Sequence, residues 1–424
     1  MPRVSLVTLG CRLNQAETEG MGEALESVGF DTVPFGQEAE LTLINTCTVT
    51  QSADASSRQA IFRAKRAWPR TLVVVTGCFA ETHRDTLEKM PEVARVVANS
   101  RKEEILAELS DLFPEEILSG KFVSSSDFVS PNRTHTRAFV KIQNGCEEGC
   151  AYCVIPFSRG SDRSRSSGEI LAEILRLEKA GYKEVVLTGV HIGKYWDGSI
   201  RLDGLLRLIL ERTQIPRLRL SSIKVNEVNE KLLALFQNEE RICPHFHTPI
   251  QSGCDSVLER MKRRYRTSQV REVLAQLKEI RPDGTIGTDL IVGFPGETDE
   301  EFEAGYDFIA SVPVDHMHVF PYSDRPGTAA SEMPDKISSE VKTARGEKFR
   351  RLSERKWAAH LSHFIGRELF VLFEGGRSRE KGVSAGTADN YIRVIVPADE
   401  NLANHLKPVK ILSLEGKSLR GTAV

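Results

Sequence analysis

Three thiols in one short stretch constrain this chain more than any other feature. Cys146, Cys150 and Cys153 stand at a C-x3-C-x2-C spacing, with Tyr152 before the last. Thiolates this close bind one metal centre together. A four-iron, four-sulfur cube offers four irons, and Cys thiolates normally hold them all. Three local thiols leave one iron without a protein ligand. An open metal position is where a small molecule binds and reacts. A structural zinc site is the alternative, but such sites usually repeat a C-x2-C pair or add His at fixed offsets. No His lies close behind Cys153.

The chain around this stretch has 424 residues, enough for two or three domains with sizeable cores. At 40% hydrophobic and 27% charged it has the composition of a soluble globular protein. It has no apolar run of the ~20 residues that span a bilayer. The start, from Met1 to Cys11, is too short in its apolar part for a secretory signal and reads as a first strand. Eight cysteines without an export signal imply reduced thiols and a cytoplasmic location. With a net charge of −2, any RNA footprint is a local patch.

Three β-branched runs in the first 120 residues each end in a cysteine: Ser5 to Cys11, Leu41 to Cys47 and Leu72 to Cys78. Such runs read as buried parallel strands. Helical patterns over 15–28 and 52–67 separate them, the second closed by Trp68 and Pro69. The pattern predicts a doubly wound parallel α/β domain, in which ligands bind beyond the carboxyl ends of the strands. Cys11, Cys47 and Cys78 all fall there, so topology predicts a second three-thiol site. Zinc or a redox thiol set is the rival for it.

Residues 120–137 read as a polar linker. Strand patterns follow at 138–142, 184–188, 217–221, 245–250, 286–292 and 314–320. Helical patterns alternate with them at 168–180, 202–213, 227–238, 268–280 and 297–310. Six such units predict a parallel, partial (β/α)6 barrel over 134–335, short of the eight that close a full one. The triple-cysteine stretch follows the first strand, at the mouth where such folds hold their sites. A connecting helix over 336–365 then ends at Gly366. Short strands at 369–373, 391–396 and 409–414 predict a small antiparallel, OB-like barrel over 366–424. This last part holds nine Lys/Arg against seven Asp/Glu, a mildly basic balance that favours RNA.

At this point Cys146, Cys150 and Cys153 resemble the radical S-adenosylmethionine superfamily. Flanking runs resemble its methylthiotransferase branch. They include Lys141 to Cys146, Ile155 to Gly160, Leu187 to Val190, Arg219 to Ser222, Pro249 to Gly253 and Asp289 to Glu297. In the first domain Gly10-Cys11 with Asn14 and Glu17, Asn45 to Cys47, and Gly77-Cys78 with Ala80 also match. The last domain resembles the TRAM domain, which binds RNA.

The resemblance implies two 4Fe-4S clusters and S-adenosylmethionine. The cluster on Cys146, Cys150 and Cys153 would bind the amino and carboxylate groups of S-adenosylmethionine and cleave it to a 5′-deoxyadenosyl radical. The cluster on Cys11, Cys47 and Cys78 would hold or supply sulfur. An unactivated aromatic C–H resists acid–base chemistry at neutral pH, whereas a cofactor radical removes that hydrogen. A one-electron reductant such as a flavodoxin or ferredoxin system is implied as a partner.

The branch resemblance is strongest, through Thr8 to Thr18 and Leu187 to Gly193, to enzymes acting on N6-threonylcarbamoyladenosine of the tRNA anticodon stem-loop. N6-isopentenyladenosine and a ribosomal-protein aspartate are the alternative substrates. A radical enzyme without sulfur insertion and a metal-folded RNA-binding protein are further alternatives.

Around the clusters, Tyr152 is expected to border the adenine. Gly189 is expected to permit close approach of the methionine moiety, and Gln251 faces the mouth. Arg159, Arg163 and Arg165, with Arg263, Arg264 and Arg266 around Tyr265, suit RNA phosphates and base stacking. His245, His247, His316 and His318 alternate along two strands and read as core or rim histidines, with a ligand role as the alternative. Cys243 and Cys254 lack partners at metal spacing and read as non-ligand thiols.

Overall fold

The computed structural model describes residues 1–113, 136–375, 382–398 and 401–424, so most of the expected linker lies outside the described residues. The N-terminal part is a five-stranded parallel sheet. Its strands are Arg3–Thr8, Asp31–Val33, Leu41–Thr46, Leu72–Gly77 and Arg95–Val96, with the first, third and fourth at the centre. Both faces are covered, as the apolar runs require. Leu41, Leu43 and Val74 pack on Met21 and Leu25 of helix Arg12–Ser27, while Ile44, Val73 and Val75 pack on Ile61 and Ala64 of helix Gln51–Ala67. The two outer strands escape a sequence reading because three and two residues carry no periodicity.

Six parallel strands form the central array: Arg137–Lys141, Glu184–Thr188, Arg217–Leu220, His245–His247, Thr285–Val292 and His316–Pro321. They form two three-stranded sheets, and a parallel bridge from Leu218 to Ile242 joins these. The first and sixth strands stand at opposite ends, which makes the barrel partial. Along each strand one set of side chains packs on the surrounding helices: Ala138, Val140, Val185, Leu187, Leu218, Leu220, Phe246, Leu290 and Met317. The alternate set therefore lines the lumen. That set includes Arg137, Glu184, Arg217, Arg219, His245, His247, Asp289, His316 and His318. Helix Arg12–Ser27 packs against the outermost strand, Arg137–Lys141.

Helix Ser339–Ser362 leads into a closed five-stranded barrel made of Glu368–Phe373, Val383–Ala388, Arg393–Pro397, Leu406–Glu415 and Ser418–Ala423. The expected all-antiparallel pairing is corrected at one seam, where Val394 and Ile395 pair in parallel with Leu419 and Arg420. Strands Val383–Ala388 and Ser418–Ala423 carry Gly386 and Gly421, which hide them from propensity. A Cβ at either position would stand 2.5 Å from a neighbouring carbonyl, Leu372 O or Lys410 O.

This small barrel seals the N-terminal end of the central array. Arg219 donates to Glu184 Oε1 at 2.6 Å and to Asp389 O at 2.8 Å, and Arg217 donates to Thr387 O at 3.0 Å. Arg219 and Glu184 are both 0% exposed. Breaking a buried pair from one side strands the other charge, at a cost of about 3–5 kcal/mol. Arg219→Met should lower the urea midpoint accordingly, followed through Trp357 fluorescence. Removing both charges in Glu184→Leu/Arg219→Met should recover part of the loss.

Candidate active site

The loop that carries Cys146, Cys150 and Cys153 leaves the first barrel strand. Backbone bonds pin it on three sides: Cys146 N to Gly160 O at 3.0 Å, Ala151 N to Met261 O at 3.1 Å, and Ala330 N to Ala151 O at 2.7 Å. Gly145 sits at φ +78°, and a Cβ there would fall 1.9 Å from Ser161 O, so only glycine permits this entry. Burial, with the neighbouring Cys150 and Cys146, pushes the Cys153 thiol up to about 12. Burial also acts on Cys146, but a contact with His191 Nδ1 at 3.5 Å lowers that thiol. His191 is in turn hydrogen-bonded to Glu227. Burial opposes its charge, yet the contacts with Cys146 and Glu227 raise it to about 9. A second cation, Arg263, donates to Cys150 Sγ at 3.3 Å.

Strand topology carries the second trio to one edge of the first sheet. Cys11 caps the start of helix Arg12–Ser27, Cys47 follows the third strand and Cys78 opens a short helix after the fourth. Gly10 and Gly77 make this approach possible. A Cβ on Gly10 would lie 2.7 Å from Cys47 Sγ, and one on Gly77, at φ +102°, would lie 2.3 Å from Thr46 O. Burial pushes the Cys47 thiol up to about 11, and the nearby Cys78 and Cys11 add to the rise.

Arg159, in the short helix just after the first loop, reaches across to the second trio. Its Nε donates to Cys78 Sγ at 3.2 Å. Its other nitrogens donate to Glu17 Oε1 at 2.9 Å, Asn14 Oδ1 at 2.5 Å and Asn144 Oδ1 at 2.8 Å. Lys102 Nζ completes the cluster, 2.6 Å from Glu17 Oε2 and 2.9 Å from Asn45 Oδ1. Burial works against the Glu17 carboxylate, but Lys102 and Arg159 hold it well below the usual range. Arg325 adds a second link, from after the sixth barrel strand to Thr48 O at 2.9 Å and Asp54 Oδ2 at 2.7 Å.

This arrangement fits iron–sulfur clusters. Two buried cations, Arg159 and Lys102, face one carboxylate, Glu17, so a negative sulfur at Cys78 balances the set. Likewise Arg263 and His191 aim at sulfurs of the other trio. Hydrogen bonds to cluster sulfurs are a main lever on such centres.

Other expected residues take different places. Arg159 and Arg263 are buried, at 3% and 8% exposure, and bound to sulfur and carboxylate or carbonyl groups, so they are corrected from RNA contacts to site supports. Tyr265 is 1% exposed, with its hydroxyl on Pro249 O and Ile250 O, and offers no stacking face. Arg165 pairs with Glu173 at 2.7 Å and Arg266 with Glu259 at 3.3 Å, while Arg163 and Arg264 stand exposed. Tyr152 packs edge-on to Phe294, 6.5 Å between centroids. The close approach at Gly189 is to the protein itself: a Cβ would meet Gln143 O at 2.8 Å and Ile192 at 2.9 Å. Gln251 is half-buried at φ +72°, and its backbone binds Asp289 O at 2.8 Å. Cys243 is buried and pushed up to about 12 by that burial. Asn14, Glu17 and His191 lie inside the quoted motifs without an assigned role. Lys102, Glu227 and Arg325 carry no local signal, because only folding brings them here.

Residues 140–309 match the Radical SAM superfamily, and residues 3–99 match Uncharacterized protein family UPF0004. The "Threonylcarbamoyladenosine tRNA methylthiotransferase MtaB" of Aquifex aeolicus is 40% identical over 87% of this chain and 92% of its own. A "tRNA-2-methylthio-N(6)-dimethylallyladenosine synthase" of Methylobacillus flagellatus is 31% identical over 100% of this chain and 99% of its own. Among solved structures, the radical S-adenosylmethionine methyltransferase TsrM of Kitasatospora setae, with cobalamin and a 4Fe-4S cluster bound, shares the fold. Its TM-score is 0.57 at 16% identity, covering 78% of this chain and 77% of that one. Fold and thiol sites thus define a radical S-adenosylmethionine enzyme. Within that class, the chain belongs to the methylthiotransferase family, whose enzymes use S-adenosylmethionine and two 4Fe-4S clusters.

Arg159→Ala should leave Asn14, Asn144 and the Cys78 sulfur without their donor while Lys102 still pairs with Glu17, with a loss of about 1–3 kcal/mol at the junction. Hydrogen exchange of the Cys78–Thr82 helix should rise several-fold. Arg159→Lys, which keeps the charge without the planar fork, should restore only part of the protection.

Proposed function

We infer that this protein methylthiolates tRNA, placing sulfur and then a methyl group on C2 of N6-threonylcarbamoyladenosine beside the anticodon. The observation that carries the reading is the junction at Arg159, which ties the exit of one thiol loop to a ligand of the other trio. Radical formation and sulfur delivery must act on one carbon, so the two sites have to face one chamber. Likeness to the Aquifex aeolicus enzyme, above that to the dimethylallyladenosine synthase, supports the threonylcarbamoyl substrate.

Cys146, Cys150 and Cys153 would hold one cluster, and Cys11, Cys47 and Cys78 the other. When bound, these groups and S-adenosylmethionine supply the electron, the hydrogen-abstracting radical, the sulfur and the methyl group. The chain contributes placement. His191 and Arg263 hold positive charge against the first trio's sulfurs. Arg159 does so at the second, where Lys102 holds Glu17 beside it. Tyr152, Gly189 and Gln251 shape the wall beside the first trio.

At the entrance, Phe157 is 57% exposed directly after the first thiol loop and Phe320 is 43% exposed at the end of the sixth strand. Exposed aromatic rings stack unpaired loop bases. With Arg163, Arg264 and Arg266 they form the proposed anticodon-loop surface, and the C-terminal barrel, as a TRAM domain, would bind the tRNA body. A flavodoxin or ferredoxin system would deliver the electrons, in the cytoplasm. Among the described residues no helix is long and apolar enough to cross a membrane.

Nucleoside mass spectrometry of tRNA from cells lacking the protein should show N6-threonylcarbamoyladenosine without its 2-methylthio form, restored by the wild-type gene. Cys11→Ala should abolish the methylthio product while 5′-deoxyadenosine still forms. Cys150→Ala should abolish both. Full product from the Cys11 variant would refute the sulfur-site assignment.

A further inference from the structure

Arg12 directly follows the sulfur-site ligand Cys11 and opens the helix that covers the first barrel strand. Its guanidinium donates to the hydroxyl of Tyr391, from the C-terminal barrel, and lies 5.0 Å from that ring's centroid. Arg219 and Arg137 stand 5.0 and 5.4 Å from the same ring. Each of those two has a carboxylate. Arg219 binds Glu184 at 2.6 Å, and Arg137 binds Glu374 at 3.1 Å. Arg12 makes no ion pair with a described residue. It is a half-buried cation crowded by two others; Tyr391 is its one hydrogen-bonded partner among the described residues, and Glu184, already paired with Arg219, acts on it only from a distance. Charges removed from water are normally paired.

A second observation lies beside it. His245 is 3% exposed and stacks on Tyr391 with ring centroids 4.4 Å apart. Neither of its ring nitrogens has a hydrogen-bond partner among the described residues. Buried polar groups are almost always paired. The floor of the lumen thus holds a cation without an ion pair and a ring with an unpartnered donor and acceptor, which is a site for an anionic, hydrogen-bonding group.

The inference rests on the substrate reading above. N6-threonylcarbamoyladenosine ends its N6 substituent in a free carboxylate, beside a hydroxyl and a carbamoyl group. The isopentenyl substituent is wholly apolar. On adenine, C2 and N6 flank N1 on the same edge. Presenting C2 to the sulfur site therefore brings the N6 substituent to the same wall, where Arg12 stands one residue from Cys11. We propose that Arg12 is the specificity-determining residue that binds the threonyl carboxylate, with His245 bonding the adjoining hydroxyl or carbamoyl group. A charge-assisted pair of this kind separates ligands by about 10- to 100-fold.

The test uses the full-length, iron-reconstituted enzyme and anticodon stem-loop RNA carrying N6-threonylcarbamoyladenosine, either as the free acid or as its methyl ester. Binding is read by fluorescence anisotropy and product by mass spectrometry. The wild type should bind and convert the acid about 10- to 100-fold better than the ester. Arg12→Gln, at unchanged iron content, should treat the two alike, and Arg12→Lys should keep part of the preference. A wild type indifferent to the ester, or an Arg12→Gln variant with the wild-type preference, would overturn the assignment. A wild type inactive on both but active on an isopentenyladenosine stem-loop would instead overturn the substrate reading on which it rests.

Discussion

The guanidinium of Arg159 is the contact on which the rest of the molecule depends. Its side chain is 1% exposed and touches a sulfur-site cysteine, a carboxylate and two amide oxygens drawn from both halves of the site. Taking such a charge out of water is expensive unless partners surround it. Here they do, through Glu17, Asn14, Asn144 and the Cys78 sulfur. Glu17, Asn14 and Cys78 are themselves buried, so the loss of Arg159 would leave polar groups without a donor inside the protein. The N-terminal sheet and the partial barrel are therefore fixed in one arrangement, with both thiol trios on the same side.

The barrel lumen is the second consequence. Six parallel strands alternate, sending apolar side chains to the helices and charged or imidazole side chains inward. An inward row of Arg, Glu and His is unstable in a dry core and useful in a chamber that receives polar ligands. The C-terminal barrel closes the floor of this chamber through Arg217, Arg219 and Tyr391. It is thus a structural part of the site as well as a candidate RNA module. Tyr391 at φ +71° marks the turn that aims its ring inward.

Much of this was legible in the residues themselves. Periodicity located the three central strands of the first sheet, the six barrel strands and the long helix before Gly366. It missed the two outer strands of the first sheet, Asp31–Val33 and Arg95–Val96, and it missed Val383–Ala388 and Ser418–Ala423, where glycine replaces the β-branched signal so that a neighbouring carbonyl fits. Charge patterning misled at Arg159 and Arg263. A run of arginines looks the same whether it faces solvent or sulfur, and burial by partners far away in sequence decides between them. His245 read as an ordinary core histidine, yet neither of its ring nitrogens has a hydrogen-bond partner among the described residues.

By itself the sequence determined which thiols belong together. A C-x3-C-x2-C loop is a local constraint, and three cysteines at successive strand ends follow from βα periodicity. The same patterning determined the three-part architecture, and the resemblance of the motifs to a known family pointed to the class of chemistry. Only the tertiary structure decided that Arg159 reaches Cys78 from beyond the first loop, which cations face the sulfurs, and that Arg12 reaches a chamber floor built by a tyrosine 379 positions away. The physical reason is that electrostatic balance in a buried site is settled between side chains whose spacing along the chain carries no information about their distance in space.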